Sequence, residues 1–179
     1  MSNIRLVSGE FDRENLKLCC ENQKDIVYVD LISDFVYQGK MDKIKNNSMN
    51  TMEIISILAL GEVVGYIILI RNDTYDIWDE DEDNVIKPKS ISVLIVMHSE
   101  YRYKRNGIAL QAMKLLLESE YITGYNALIA LIRNSNHASQ KLFINELGFK
   151  ETGEKKSDYF VYSYCLWLKN RSSYFEVLF

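Results

Sequence analysis

The run Ile91-Ser92-Val93-Leu94-Ile95-Val96-Met97 constrains the fold more than any other stretch of the chain. Apart from Ser92 it is apolar and rich in β-branched residues, which suits a strand buried on both faces better than a short helix. A basic turn follows, with Arg102, Lys104 and Arg105, and then Asn106-Gly107-Ile108-Ala109. Asn106 is placed to cap a helix whose apolar residues recur at positions 108, 109, 112, 113, 116 and 117. The expected order is therefore strand, basic turn, helix N-terminus. A helix start of this kind presents free backbone N–H groups and the positive end of the helix dipole, and Gly107 lets a bulky anion come close to the backbone.

The 179 residues suit one domain, 1–179, with a core that needs neither disulfide nor metal. Three cysteines, two of them adjacent at Cys19 and Cys20, form no metal-ligand spacing and favour a reducing cytoplasm. No apolar run reaches the length of a membrane span, and the N-terminal stretch has no signal-like apolar core, so a soluble protein is expected. A net charge of −4 argues against a general nucleic-acid binder, because phosphate contacts dominate such affinity. The basicity is local, confined to the turn.

Along the chain, residues 3–8 read as a short strand ending at Gly9, and Asp12 as the N-cap of a helix with Leu16, Cys19 and Cys20 facing inward. A second helix is expected over 24–45, unless Gly39 breaks it. Residues 52–60 and 63–71 read as two strands joined by a Gly61-Glu62 turn. The acidic stretch from Asp76 to Asp83, closed by Pro88, reads as an exposed loop able to steer a cationic acceptor. Asp79, Asp81 and Asp83 imitate a calcium loop, but Asn84 and Ser90 stand where its Gly and closing Glu are needed, so no metal is expected. Residues 126–132 read as a further strand, 158–168 as the last long one, and a helix between them is capped by Ser135 or Asn136, with Ala138, Leu142 and Phe143 inward and Gly148 as its stop. The apolar tail, RSSYFEVLF, either packs on the domain, pairs with a second subunit in a homodimer, or is in part an appended protease site of the LEVLFQ type.

Two motifs in this order carry a family resemblance. Lys104-x-x-Gly107-x-Ala109 resembles the Arg/Gln-x-x-Gly-x-Gly/Ala signature of the GCN5-related N-acetyltransferases, and Asn136-x-x-Ser139-x-x-Leu142-Phe143, running to Leu147-Gly148-Phe149, resembles their second signature. The resemblance extends from about Val63 to Leu168. It implies an α/β fold with a central mixed, mostly antiparallel twisted sheet of six to seven strands and about four flanking helices. It also implies acetyl-CoA as cosubstrate and transfer of acetyl to a primary amine of a small molecule or a protein. In that reading Val96 and Met97 pair their backbone with the pantetheine arm, and Lys104, Arg105, Asn106, Gly107, Ile108 and Ala109 hold the pyrophosphate. Asn136, Ser139 and Phe143 then lie near the pantetheine end.

The chain departs from the family pattern at three places. Lys104 stands for the commoner Arg or Gln and keeps the charge without the bidentate fork. The loop from Met97 to Gly107 is slightly longer than usual. Phe143 stands where a tyrosine usually donates a proton to the leaving thiolate. A phenol from the strand over 159–164, with Tyr159 as the candidate, or a water can substitute. His98 and Glu100 are the candidate general bases, with Glu62 as a third. The alternative is a catalytically idle acyl-CoA-binding module of the same fold. A toxin acting on aminoacyl-tRNA would need an extended basic face that this acidic chain lacks.

Overall fold

The computed structural model describes residues 4–9, 11, 12, 14–16, 19, 51–72, 89–98, 106–156 and 158–166. Seven strands are ordered β1-β2-β3-β4-β5-β7-β6, where β1 is Ile4–Ser8, β2 Thr51–Ala59, β3 Glu62–Asn72, β4 Ser90–Met97, β5 Ala127–Arg133, β6 Lys150–Lys156 and β7 Tyr159–Cys165. Helix α1 is Ile108–Leu117, and α2 is His137–Gln140, continued by a π-helical turn at Lys141–Glu146. The pairing is mixed: β4 runs parallel to β5, whereas β1 with β2, β5 with β7 and β6 with β7 are antiparallel. Contacts divide the chain into two compact units, Met1–Ile70 with Val93–Tyr121 and Arg71–Ser92 with Ile122–Phe179.

In the first unit, Asp12 caps a helix start as its sequence position suggests: its Oδ1 accepts from the N–H groups of Glu14 and Asn15 at 2.9 and 3.2 Å. Leu16 and Cys19 then pack, fully buried, against Ile54, Tyr66, Ile68, Ile70 and Val96. Tyr66 is completely buried, and its hydroxyl donates to the Asp12 carbonyl at 3.2 Å, which satisfies the one polar atom it carries inside. The β2–β3 turn is Leu60-Gly61, one residue earlier than the Gly61-Glu62 read from the sequence. Both residues have positive φ, 55° and 86°, the backbone of a two-residue hairpin turn whose twist matches that of the strands. Leu60 is an unusual residue for that backbone and is 83 % exposed.

Gly65 brings β3 against the end of β4. A Cβ there would stand 2.5 Å from the Val96 carbonyl oxygen and 2.8 Å from Met97 Sδ. The ladder continues one residue past β4, with His98 N–H donating to the Val64 carbonyl at 2.9 Å. In α1, Ile108, Ala112, Met113 and Leu116 are buried, the i, i+4, i+5, i+8 face that the sequence period marks.

In the second unit, Ser90, Ile91 and Ser92 pair with Ala127, Leu128 and Ile129, and β5 pairs with β7 from Ala127↔Cys165 to Arg133↔Tyr159. Ala127, Ile129, Leu131 and Val161 form the core on one face. The buried Ser92 Oγ makes no hydrogen bond. β6, Lys-Glu-Thr-Gly-Glu-Lys-Lys, has no apolar residue and was not expected from the sequence; as an edge strand it needs only its pairing with β7, interrupted by a register shift between Glu151 and Lys155. Ala138, expected inward, is exposed. The second helix over 24–45, the acidic loop, Cys20 and the tail lie outside the described residues.

Gly65→Ala is expected to cost roughly 1–3 kcal/mol, because its neighbours are backbone and a packed sulfur that must be pushed aside; chemical denaturation measures it. Ser92→Ala is expected to leave stability unchanged or raise it by about 1 kcal/mol, since it removes a desolvated hydroxyl that has no partner. A clear loss in the same experiment would contradict the unpaired state of Ser92.

Candidate active site

The helix start that follows β4 is built differently from its sequence reading. Gly107, not Asn106, is the N-cap of α1, with φ 68° and ψ 10° and no side-chain cap. A left-handed residue at this point costs a side-chain-bearing residue roughly 1–2 kcal/mol, which is why glycine occupies it and why the cap has moved one residue on from Asn106. The Gly107 carbonyl accepts the first α-helical bond from Gln111 N–H at 3.0 Å. Among the described residues, a Cβ on Gly107 would meet only Gln111 Nε2, at 3.9 Å. The N–H groups of Ile108 and Ala109 belong to the first turn, whose donors have no acceptor within the helix. Ile108 itself is buried, so only its backbone lies at the helix start.

In the same unit, Val96 is fully buried and Met97 half-buried at the end of β4. His98 is half-buried beside Val64, and exposed Glu62 begins β3 two residues before Val64. Two of the three candidate bases therefore share one end of the sheet. Glu100, Lys104 and Arg105 lie outside the described residues.

The second unit holds the other motif. Asn136 is the N-cap of α2, and its Oδ1 accepts from Ser139 N–H at 3.1 Å, so Ser139 is placed by its backbone. Ser135, the other cap candidate, lies in the turn, where its backbone carbonyl accepts from His137 N–H at 3.1 Å. After Gln140 the helix widens. Leu147 N–H reaches the Leu142 carbonyl at 3.1 Å and Phe149 N–H the Phe143 carbonyl at 2.9 Å, spans of five and six residues. Gly148, φ 78°, ends the helix as its position suggested. Phe143 is 4 % exposed, and its ring meets Phe149 edge to face with centroids 5.0 Å apart; Phe149 in turn lies 5.4 Å from Tyr164.

The tyrosines of β7 divide by face. Tyr159 accepts a hydrogen bond from Arg133 Nη2 at 2.8 Å, and the guanidinium lies 4.9 Å from its ring centre. Tyr162 points to the other face and is 7 % exposed; burial pushes its phenol up from the ordinary value of 10.0, and the negative charge of Glu151 adds to this. The sequence reading did not single out Arg133. Its signal was a charged residue closing an otherwise apolar strand, Ala-Leu-Ile-Ala-Leu-Ile-Arg. Among the described residues no group of three or more His, Cys, Asp or Glu is placed to hold a metal, and no helix is long and apolar enough to cross a membrane.

A mixed seven-stranded sheet, with a helix leaving β4 through a left-handed glycine and a second helix leaving β5 through an asparagine cap, is the GCN5-related N-acetyltransferase fold. Solved structures agree. The N-acetyltransferase from Staphylococcus aureus Mu50 is similar over 92 % of this chain and 99 % of its own, with 22 % identity and a TM-score of 0.57. The yncA protein from Salmonella typhimurium, solved with its cofactor acetyl-CoA, is similar over 93 % of this chain and 94 % of its own, with 17 % identity and a TM-score of 0.54. The dodecameric spermidine N-acetyltransferase from Vibrio cholerae is similar over 91 % and 94 %, with 14 % identity and a TM-score of 0.58. No family model and no curated protein matches the sequence.

Because the Tyr162 phenol is raised, the folded protein holds its proton where the unfolded chain has begun to lose it. Stability is expected to be full below pH 10 and to fall as pH rises above that value, with a smaller fall in Tyr162→Phe; denaturation midpoints at pH 9 and pH 11 measure the difference.

Proposed function

We propose that the chain is an acetyl-CoA-dependent N-acetyltransferase that acts on a primary amine of a small molecule or of a protein. The observation that carries this reading is the left-handed backbone at Gly107, clear of every other described residue but Gln111, at the start of the helix that follows β4. It fits a pyrophosphate: the first-turn N–H groups of α1 face outward from the helix start, no Cβ fills the approach, and Lys104 is close by in sequence. Acetyl-CoA supplies an activated acyl group on a thiol that leaves readily at mildly basic pH.

The chain's own residues supply the rest. Val96 and Met97 offer backbone groups to the pantetheine arm, and a backbone N–H polarises the carbonyl. His98, Glu100 or Glu62 takes the proton from the amine, which must be neutral to attack. Tyr159 or a water returns a proton to the thiolate, because Phe143 has no hydroxyl to do so. Asn136 spends its Oδ1 on the helix cap and presents its amide NH2 as the remaining donor. A cationic acceptor, such as a polyamine, suits the net charge of −4. A cytoplasmic location and a homodimer are further parts of the reading.

A second reading, an idle acyl-CoA-binding module, is favoured by one observation: the Phe143 ring is buried against Phe149 at the position where the family carries its usual acid.

Incubation with acetyl-CoA, a panel of amines and a thiol reagent separates the two. Free CoA released above background with one amine class is expected; tight binding without release on any acceptor would establish the idle module. Gly107→Asn probes the cradle directly, since asparagine tolerates the left-handed backbone and places a side chain where glycine has none. Acetyl-CoA affinity is expected to drop at least tenfold by calorimetry with an unfolding temperature close to that of the parent. Unchanged affinity would remove Gly107 from the site.

A further inference from the structure

Asparagine is among the chemically labile side chains, and Asn106-Gly107 is the chain's one Asn-Gly step. Both residues are exposed, and they stand where the chain enters α1, with Gly107 as its left-handed N-cap. The Gly107 carbonyl accepts from Gln111 N–H, whereas the Gly107 N–H donates to no described residue. That nitrogen is bonded into the same peptide unit that follows the Asn106 side chain, so it can close a succinimide ring on the Asn106 amide carbon. A side chain on the second residue hinders this approach, and glycine has none.

The asparagines at the start of α2 are placed differently. Asn136 has its Oδ1 held by Ser139 N–H, and the nitrogen that follows it, that of His137, donates to the Ser135 carbonyl at 3.1 Å. Asn134 is exposed, but Ser135 after it carries a side chain.

We propose that Asn106 is a site of spontaneous deamidation, and that the change weakens the hold of the α1 start on an anionic ligand. The Gly107 nitrogen attacks Cγ of Asn106: an N–C bond forms, the nitrogen gives up its proton, the Cγ–Nδ2 bond breaks and ammonia leaves. Water then opens the succinimide at either carbonyl. One cut gives aspartate; the other gives isoaspartate, in which the main chain runs through the former side chain. Both products carry a carboxylate where a neutral amide stood. Beside a helix N-terminus a negative charge favours the helix itself and repels a second anion. The fold is thus kept while affinity for the anion falls. That this anion is the pyrophosphate of acetyl-CoA rests on the proposed function; the modification itself does not.

The full-length chain, incubated at neutral and at mildly alkaline pH and mapped by peptide mass spectrometry with isoaspartate detection, tests the modification. Conversion at Asn106 is expected to outpace that at Asn134 and to quicken as pH rises, because the attacking nitrogen must lose its proton. An intact Asn106, or conversion no faster than at Asn134, overturns the proposal. Asn106→Asp in the full-length chain tests the consequence. Its unfolding temperature is expected to equal or exceed that of the parent. Its acetyl-CoA affinity by calorimetry is expected to be lower by roughly fivefold or more at low salt, as for one partly screened like charge, with the gap narrowing as salt is added. Unchanged affinity at low salt overturns the consequence. A parent that binds no acetyl-CoA overturns the proposed function and the consequence with it, while the mapping decides the modification on its own.

Discussion

The close approach of β3 to the end of β4 at Gly65 is the contact on which the first unit depends. With no side chain at that position, the backbone of one strand rests against the Val96 carbonyl and the Met97 side chain. This sets how β4 ends. A bulkier residue would move the strand whose last two residues are proposed to meet the cofactor. The constraint is steric and unforgiving, because a packed interior has little spare volume to absorb an extra methyl group. Around it, Tyr66 and Leu16 close the core, and Asp12 serves twice, as a cap through its carboxylate and as an acceptor for Tyr66 through its carbonyl.

Those elements whose burial imposes a pattern were legible in the sequence. β4 and β5 announce themselves by apolar runs, β7 by β-branched and aromatic density, and the inward face of α1 by its period. Two features escaped for physical reasons. β6 carries no apolar residue because an edge strand is held by its backbone ladder to a single neighbour, and its charges guard the free edge. The helix after Asn136 was expected to turn Ala138, Leu142 and Phe143 inward together, but it widens after Gln140, and Ala138 is exposed while Phe143 reaches the core. At the site, the residue types were legible and the geometry less so. Asn106 had the right chemistry for a cap, and only the left-handed backbone of Gly107 shows why the cap lies one residue later.

The two motifs also differ in how their side chains are used. Gly107 acts by having none. Asn136 acts first on its own helix, fixing Ser139 by the backbone, and whatever it offers a ligand is what remains of its amide. Arg133 and Tyr159, which join two strand ends, show a third mode: a charged group that donates to an aromatic neighbour's hydroxyl and lies against its ring.

The wide turn at Lys141–Glu146 has a consequence for how the chain tolerates changes in length. A hydrogen-bonded ring that spans five residues holds one residue more than an α-helical ring. Losing a single residue between Gln140 and Leu147 can therefore be absorbed by closing the same segment as ordinary α-helix. The helix would take up the deletion itself, and neither the asparagine cap before it nor the glycine stop after it would have to shift register against the strands they connect.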